Sequence, residues 1–252
     1  MQVYRRKKNK LRKKFILFWI IFLLVILVSG ILLSPLFRVR AINVYGNKEI
    51  ETQNIEKSIG RTNVLLITGR GLENKLLKEF PKIAEIKIEK NVFKKTLTIT
   101  LKEREKTGII CKAEKINGAE TVKDCFYFDK NGIVFENAPQ TSGALMLLIK
   151  DFSSTQLALG NKILEPELIG SMIEIKNNFP QAGNGIAWFE LSMLPPKEIK
   201  AVTIKSWYIL FDATRDMIKQ FLILKTALSE KITNTDNLEY IDLRIENRIY
   251  YK

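Results

Sequence analysis

The chain contains no histidine among its 252 residues. Histidine is the usual general base near neutral pH and a common ligand of zinc, so its absence excludes every catalytic arrangement that needs a nucleophile beside a histidine. The sequence also lacks a glycine-rich phosphate loop, a Ser-x-x-Lys motif and acidic residues paired at a motif spacing. It therefore predicts a protein that is not an enzyme, with no cofactor, no metal and no small-molecule substrate. An envelope enzyme that acts through carboxylates alone is the alternative, and a cleft with converging Glu and Asp side chains would favour it.

Cysteine is nearly as scarce, since Cys111 and Cys125 are the only two. Two thiols cannot form a closed zinc site by themselves. The loop between them is short, and its closure by a disulfide would contribute about 3 kcal/mol where the geometry fits. A disulfide is favoured, two reduced thiols are the alternative, and the sequence leaves both open.

Charge is absent from one long stretch, residues 15–33, which reads FILFWIIFLLVILVSGILL. At about 1.5 Å per helical residue, it reaches roughly the 30 Å thickness of a bilayer core. A cleaved secretory signal is the alternative, but such a segment usually has about 7 to 15 apolar residues and a small-residue cleavage site. The stretch therefore predicts a single transmembrane helix over residues 15–33.

The residues before this stretch form a basic tail, residues 1–14, with no acidic residue. Its cations are Arg5, Arg6, Lys7, Lys8, Lys10, Arg12, Lys13 and Lys14. By the positive-inside rule, this tail stays in the cytoplasm and everything from Ser34 onward lies outside. The formal net charge of +14 falls to +6 without these eight cations, a mild excess that does not require a polyanion. We therefore expect the tail to contact anionic membrane lipid, and expect no nucleic acid partner.

Residues 37–105 predict a small domain with the order strand, helix, helix, strand, strand. An extended run ends at Gly46, and Thr52 is a candidate N-cap of the first helix. The second helix has an apolar stripe that continues to Phe80, and Pro81 ends it. Two later runs alternate apolar and polar residues, with Ile86, Ile88, Leu97, Ile99 and Leu101 as the apolar members. Strict alternation indicates a sheet with one packed face, and the two helices are its natural cover.

Residues 106–252 read mostly as strands. Two apolar runs joined at Asn131-Gly132 predict a tight hairpin, because this pair tolerates the positive φ angles of the turn. Two stripes with helical spacing predict two helices, one with Leu168, Met172, Ile175 and Phe179, the other with Met217, Phe221, Leu224 and Leu228. The whole chain therefore predicts an α+β protein with one transmembrane helix, a β-α-α-β-β domain and a mostly antiparallel β domain with two helices.

This order of features resembles the FtsQ/DivIB family of bacterial cell division proteins, in which a POTRA domain and an FtsQ-type β domain follow a single span. The segments of the first domain that match the family are FRVRAINVYGN, RTNVLLI, EFPKIAEIKIEKN and KTLTITLKERE. In the second domain, Trp207, Lys219-Gln220, Leu224-Lys225 and Ile241-Asp242-Leu243-Arg244 stand in the order of the family.

The resemblance implies a bitopic scaffold of the divisome, located in the cytoplasmic membrane at the division septum. It implies recruitment of FtsB/DivIC-like and FtsL-like partners, and through them of septal peptidoglycan synthesis, without catalysis by this chain. POTRA domains also occur in assembly and secretion proteins. A membrane-anchored factor that binds client proteins through its POTRA domain is therefore the alternative.

The end of the chain is the candidate partner-binding site. Alternation places Ile241, Leu243 and Ile245 on one face of the last strand, with Asp242 and Arg244 on the other. A late strand at a sheet edge exposes N–H and C=O groups that an incoming strand can complete. In the resembled family the partner docks at this C-terminal edge, which implies contacts by Leu243, Arg244, Ile245, Arg248, Ile249, Tyr250 and Tyr251. A solvated Asp242–Arg244 pair with no partner is the alternative.

A second candidate edge lies in the first domain, at residues 87–91. Its alternative is an edge that serves only the fold of that domain.

Overall fold

The structure is a computed structural model that describes residues 2–116, 119–141, 145–154, 156–179, 185–192, 197–232, 234–246 and 248–252. The chain divides into two compact units, with the boundary between Glu103 and Arg104. Each unit has its own buried core.

The chain begins with a long helix, α1, Gln2–Leu33. Residues Lys13–Leu32 of this helix are long and apolar enough to cross a membrane, and none of that stretch is buried against the protein. The helix therefore fits a single-pass membrane protein. A short 3-10 turn, Pro35–Phe37, leads from it into the rest of the N-terminal unit.

The N-terminal unit has the predicted order strand, helix, helix, strand, strand. Its elements are β1 Ala41–Tyr45, α2 Thr52–Ile59, α3 Gly69–Glu79, β2 Ile83–Asn91 and β3 Thr96–Glu103. The central strand β3 is parallel to β1 and antiparallel to β2. Ile55 and Leu76 from the helices and Leu97 and Ile99 from β3 are fully buried, so the helices cover one face of the sheet as expected.

Two helix ends differ from the prediction by one residue. Thr52 is the first helical residue, and the N-cap is Glu51. The Thr52 hydroxyl accepts a hydrogen bond from the side chain of Asn47 at 3.3 Å, so its oxygen faces the β1–α2 connection. Phe80 is the C-cap of α3 and does not lie inside the helix.

In its described residues, the C-terminal unit contains one mixed sheet and two helices. In chain order its elements are β4 Gly108–Ile116, β5 Ala119–Phe128, β6 Val134–Ala138, β7 Leu147–Asp151, α4 Pro166–Asn178, β8 Ile186–Leu191, β9 Glu198–Thr203, β10 Tyr208–Asp212, α5 Met217–Glu230, β11 Tyr240–Asp242 and β12 Tyr250–Tyr251. Within the described residues the sheet has nine strands in the order β12-β11-β10-β9-β8-β7-β4-β5-β6. Three neighbouring pairs, β10/β11, β7/β8 and β4/β7, are parallel, and the others are antiparallel.

The predicted hairpin connects β5 to β6. Gly132 in its turn has a φ of +76°, and a Cβ atom there would lie 2.1 Å from the carbonyl oxygen of Leu164. Only glycine fits both the backbone angle and this close approach. The turn therefore fixes the β5–β6 pair beside the residues that precede α4.

Helices α4 and α5 cover one face of the large sheet. Met172 and Leu224 from the helices pack with Phe189, Phe211 and other strand residues in the main core. The opposite face carries the Cys111–Cys125 disulfide, between directly opposed residues of β4 and β5. Leu148 packs beside it in a smaller cluster, with Trp188 at its margin. Neither α4 nor α5 covers this second face, and we call it the open face.

Candidate partner-docking edge

The segment Ile241-Asp242-Leu243-Arg244 does not form the outermost strand of the large sheet. Its first residues belong to β11, which lies between β10 and β12. Ile241 is opposite Ile209 on the parallel side and opposite Tyr251 on the antiparallel side. The expectation that these residues form the last strand, at the edge of the sheet, is wrong, because the chain turns back after Asp242 and β12 pairs with the outer side of β11. The C-terminal edge of the sheet is β12.

The backbone of Tyr251 faces away from the sheet. Lys252 N–H donates to the carbonyl of Tyr240 at 3.2 Å, and the Lys252 carbonyl accepts from Tyr240 N–H at 3.3 Å. In an antiparallel ladder such exchanging pairs alternate with pairs whose N–H and C=O groups point outward. No described strand lies beyond β12. Tyr251 therefore offers one donor and one acceptor to an incoming strand.

Apolar and aromatic side chains surround this backbone. Ile245, Tyr250 and Tyr251 are 50%, 43% and 55% exposed. Ile249 is half-buried and packs against the main core. Arg248 is exposed, and its guanidinium donates to the Tyr250 hydroxyl at 3.4 Å. The edge thus combines outward backbone groups with amphipathic side chains, which are favoured at protein interfaces.

The exposed guanidinium of Arg244 binds two carboxylates of the same unit, Asp242 and Glu198. Its Nε and Nη2 donate to the two oxygens of Asp242 at 3.0 and 2.7 Å, and its Nη1 donates to Glu198 at 2.6 Å. The hydrogen bonds from Arg244 lower the pKa of Asp242, against partial burial, which raises it. The same bonds raise the pKa of Arg244. The Asp242–Arg244 pair therefore orients the connection between β11 and β12.

Leu243 is not part of the exposed edge, although the family resemblance implied a contact there. Its side chain is 3% exposed and packs in the main core. Its N–H donates to the carbonyl of Leu210 at 2.9 Å, and its carbonyl accepts from Arg215 at 2.9 Å. Both its side chain and its backbone are thus engaged within the unit.

Two residues of this arrangement, Arg215 and Glu198, are missed by sequence reasoning. The spacing of three between Asp212 and Arg215 is a local signal for their ion pair, which has an N–O distance of 2.7 Å. The bond from Arg215 to Leu243 and the bond from Arg244 to Glu198 join residues far apart in the chain. No local pattern predicts such contacts.

An aromatic surface continues from the edge onto the open face. The rings of Tyr208 and Tyr240 are stacked, with their centroids 5.7 Å apart and an interplanar angle of 19°. The ammonium group of Lys200 lies 4.4 Å from the centroid of the Tyr208 ring, a cation–π contact. These half-buried rings lie on β10 and β11, so the apolar surface beside β12 continues across these two strands.

A cavity of about 530 Å³ on the open face contains three carboxylates. Each one is bound to a cation: Glu114 to Lys123 at 2.6 Å, Glu190 to Lys200 at 3.0 Å and Glu198 to Arg244 at 2.6 Å. Each carboxylate of this cavity is therefore paired with its own cation. Within the described ranges, no group of three or more Cys, Asp or Glu side chains could hold a metal ion.

The second candidate edge is the outer side of β2, which ends the three-stranded sheet opposite β1. Lys87 and Glu89 form an ion pair there at 2.7 Å. Their mutual hydrogen bond raises the pKa of Lys87 and lowers that of Glu89. Exposed charges along an edge strand oppose the addition of another strand. The charge pattern therefore favours the C-terminal edge over this one.

Comparison with known proteins supports the family resemblance. Residues 37–104 match the FtsQ-type POTRA domain. The chain is 30% identical over 179 residues to the cell division protein DivIB of Clostridium botulinum strain Loch Maree, an alignment that covers 69% of this chain and 64% of that protein. It is also 30% identical over 163 residues to DivIB of the Hall strain, covering 63% and 58%. The chain thus matches less than two thirds of the length of either relative.

Proposed function

As a member of the FtsQ/DivIB family, this chain is, we propose, a single-pass membrane scaffold of bacterial cell division that has no catalytic activity of its own. Helix α1 anchors it in the cytoplasmic membrane, with the basic tail in the cytoplasm and both compact units outside, at the division septum. The name of the two relatives supports a role in division. The apolar stretch of α1 and the cations before it support the anchoring and the orientation.

The scaffold acts by strand addition at β12. Its partners are FtsB/DivIC-like and FtsL-like bitopic proteins, and one of them adds a strand along Tyr251. The outward N–H and C=O of Tyr251, at the open end of the nine-stranded sheet, are the observation that carries this proposal. Ile245, Arg248, Ile249 and Tyr250 supply side-chain contacts around that ladder, and Arg244 holds their connection in place.

Anchoring in one membrane strengthens these contacts. Proteins that share a bilayer meet at a high effective concentration, so a short ladder with modest affinity suffices for assembly. Septal peptidoglycan synthesis is then controlled through the assembled complex.

A proline at the edge tests the mechanism directly. Tyr251→Pro removes the outward N–H, and the hydrogen bonds between β12 and β11 do not use that N–H. Proline is tolerated on edge strands when its nitrogen faces solvent. We expect the full-length variant, co-expressed with both partners and purified from detergent-solubilised membranes, to lose partner capture, with the C-terminal unit still folded by circular dichroism.

Tyr251→Ala is the matched control, because it keeps the N–H and removes only the ring. We expect it to retain most of the capture. Wild-type capture by Tyr251→Pro would refute strand addition at β12. Equal loss in both variants would show that the side chain, and not the backbone, carries binding, and would also overturn the mechanism.

A further inference from the structure

The turn between β2 and β3 projects toward the end of the N-terminal unit at which α1 enters. Ala41, the first residue of β1, is opposite Thr96, the first residue of β3, and the two strands run parallel. Just before them, Arg40 N–H donates to the carbonyl of Lys95 at 2.8 Å. Since β1 runs away from α1, β3 does so too. The turn of residues 92–95 therefore extends beyond the strands in the direction of α1.

A second segment lies at the same end. The side-chain amide of Asn63 donates to the carbonyl of Leu32, in the last turn of α1, at 2.7 Å. Val64 N–H donates to the carbonyl of Phe37 at 2.8 Å. Lys90 Nζ donates to the carbonyl of Ile67 at 2.8 Å and so connects this segment to β2. Residues 34–40, 61–70 and 90–96 together form what we call the α1-proximal surface.

This surface exposes large apolar side chains. Phe93 is 97% exposed, Leu36 is 68% exposed and Leu66 is 53% exposed. Outside α1, the described part of the N-terminal unit exposes one other large aromatic or aliphatic side chain, Tyr45, at the far end of β1. Apolar exposure in this unit is therefore concentrated beside the membrane helix.

The charge of the α1-proximal surface has a single sign. Its three segments contain no Asp or Glu, and their cations are Arg38, Arg40, Arg61, Arg70, Lys90, Lys94 and Lys95. All seven are exposed except Lys95, which is half-buried. Within the described part of the chain, none of them forms an ion pair with a carboxylate. In the described structure, therefore, no direct ion pair neutralises any of these seven cations.

We propose that the α1-proximal surface binds the lipid bilayer that α1 spans, on the leaflet from which the chain emerges. Phe93, Leu36 and Leu66 enter the boundary between headgroups and acyl chains, and the cations bind the phosphates of anionic phospholipids. This inference rests on the membrane insertion of α1 and is independent of partner docking at β12.

Two observations favour a bilayer as the occupant. Leu36 lies only three residues beyond α1, so the membrane is already adjacent to this surface. The alternation of exposed apolar groups with cations matches the two chemical layers of a membrane interface, whereas a soluble polyanion would use only the cations. Binding in this way fixes the POTRA domain against the membrane surface.

A nitroxide label at residue 93 tests the depth of this contact. Phe93→Cys can be labelled without reduction in the full chain, because Cys111 and Cys125 are joined to each other. The protein is placed in nanodiscs of phosphatidylglycerol or of phosphatidylcholine, and collision with oxygen and with a water-soluble nickel chelate is measured. Lys102→Cys is the control, since this exposed position lies about 20 Å from Thr96 along β3.

In phosphatidylglycerol we expect a severalfold lower nickel accessibility and a higher oxygen accessibility at residue 93 than at residue 102. In phosphatidylcholine the difference should be much smaller. The double variant Arg40→Glu/Lys94→Glu should give the label at residue 93 the same nickel and oxygen accessibility as the label at residue 102. The control double variant, Lys48→Glu/Lys102→Glu, changes the opposite end of the unit, and the label at residue 93 should then remain in the bilayer.

Equal accessibility of the two labels in phosphatidylglycerol would overturn the proposal. So would unchanged immersion in the Arg40→Glu/Lys94→Glu variant. Partner capture by the same variants separates the two hypotheses, because a failure here leaves the β12 edge of the other unit intact.

Discussion

Arg244 and Glu198 are bound to each other at 2.6 Å although 46 residues separate them in the chain. Glu198 is the first residue of β9, and Arg244 lies just after β11, so the bond crosses the end of β10. The same guanidinium holds Asp242 through two hydrogen bonds. The start of the β11–β12 connection is therefore bonded to β9, which lies two strands away from β11, and not only to the neighbouring strand β10.

Replacing Arg244 should loosen the candidate docking edge, β12, without unfolding the protein. The Arg244 and Glu198 side chains are each 41% exposed, and exposed ion pairs contribute about 0 to 1 kcal/mol, so Arg244→Gln should change global stability little. Hydrogen exchange of residues 240–252 should nevertheless become faster. Lys205→Gln, which breaks an exposed pair with Asp236, is the control and should leave this exchange unchanged. Identical exchange in Arg244→Gln and the wild type would contradict the assigned role.

Acid should weaken the same edge. The pKa of Asp242 is lower in the folded protein, mainly because of the hydrogen bonds from Arg244. Its stabilising contribution is therefore complete above the ordinary carboxyl pKa of about 3.9 and is lost as the pH falls through the folded pKa. Hydrogen exchange of residues 240–252, corrected for intrinsic rates, should show protection that decreases below that pH. Asp242→Asn should have weaker protection and should lose this part of the pH dependence. A wild-type profile in this variant would assign the titration to another group.

The hydrogen bonds of Gln220 give a structural reason for the glutamine of the Lys219-Gln220 pair in α5. Its side chain is buried, donates to the carbonyl of Asp212 at 2.8 Å and accepts from the Asp212 N–H at 2.9 Å. Gln220→Ala would leave two partly buried backbone groups at the end of β10 without these partners, a loss of about 1 to 3 kcal/mol. Urea unfolding of the detergent-solubilised chain, followed by the fluorescence of Trp188 and Trp207, measures it. Lys219→Ala is the matched control at an exposed neighbouring position and should change stability by less than about 0.5 kcal/mol.

Reduction of the disulfide should destabilise the β4–β5 pair. Cys111 and Cys125 are joined across directly opposed positions, and the bond closes a loop with a sequence separation of 14. A loop of this length corresponds to about 3 kcal/mol in the chain-entropy account. Urea unfolding with and without dithiothreitol should show a shift of that order in the wild type. Cys111→Ser/Cys125→Ser should be insensitive to the reductant. Two alkylatable thiols in protein purified without reductant would argue against the bond.

The elements with clear periodicity could be predicted from the sequence, and the order of the large sheet could not. The alternation around Ile99 and the helical stripe around Met172 correctly predict a β3 strand and the α4 helix, because local spacing alone decides which face is buried. The parallel pairing of β11 with β10 depends on contacts between distant segments. Strand β12 has two residues, too few for any period to be recognised. For that reason the Ile241 strand is wrongly predicted at the edge.

In the candidate site too, some features could be predicted from the sequence and others depend on tertiary contacts. The sequence names Tyr250 and Tyr251 as candidate contact residues, and both side chains are exposed. The burial of Leu243 and the roles of Arg215 and Glu198 follow from tertiary contacts that have no local signature.

The shortness of β12 also bears on self-association. A long, flat edge strand would allow identical molecules to pair edge to edge and aggregate, especially at high local concentration. Two paired residues beside a lysine offer too small a template for such growth. In the proposed complex, a partner strand would gain side-chain contacts in addition to this short ladder. Under the proposed strand addition, the shortness of β12 would therefore disfavour pairing between two copies of this chain.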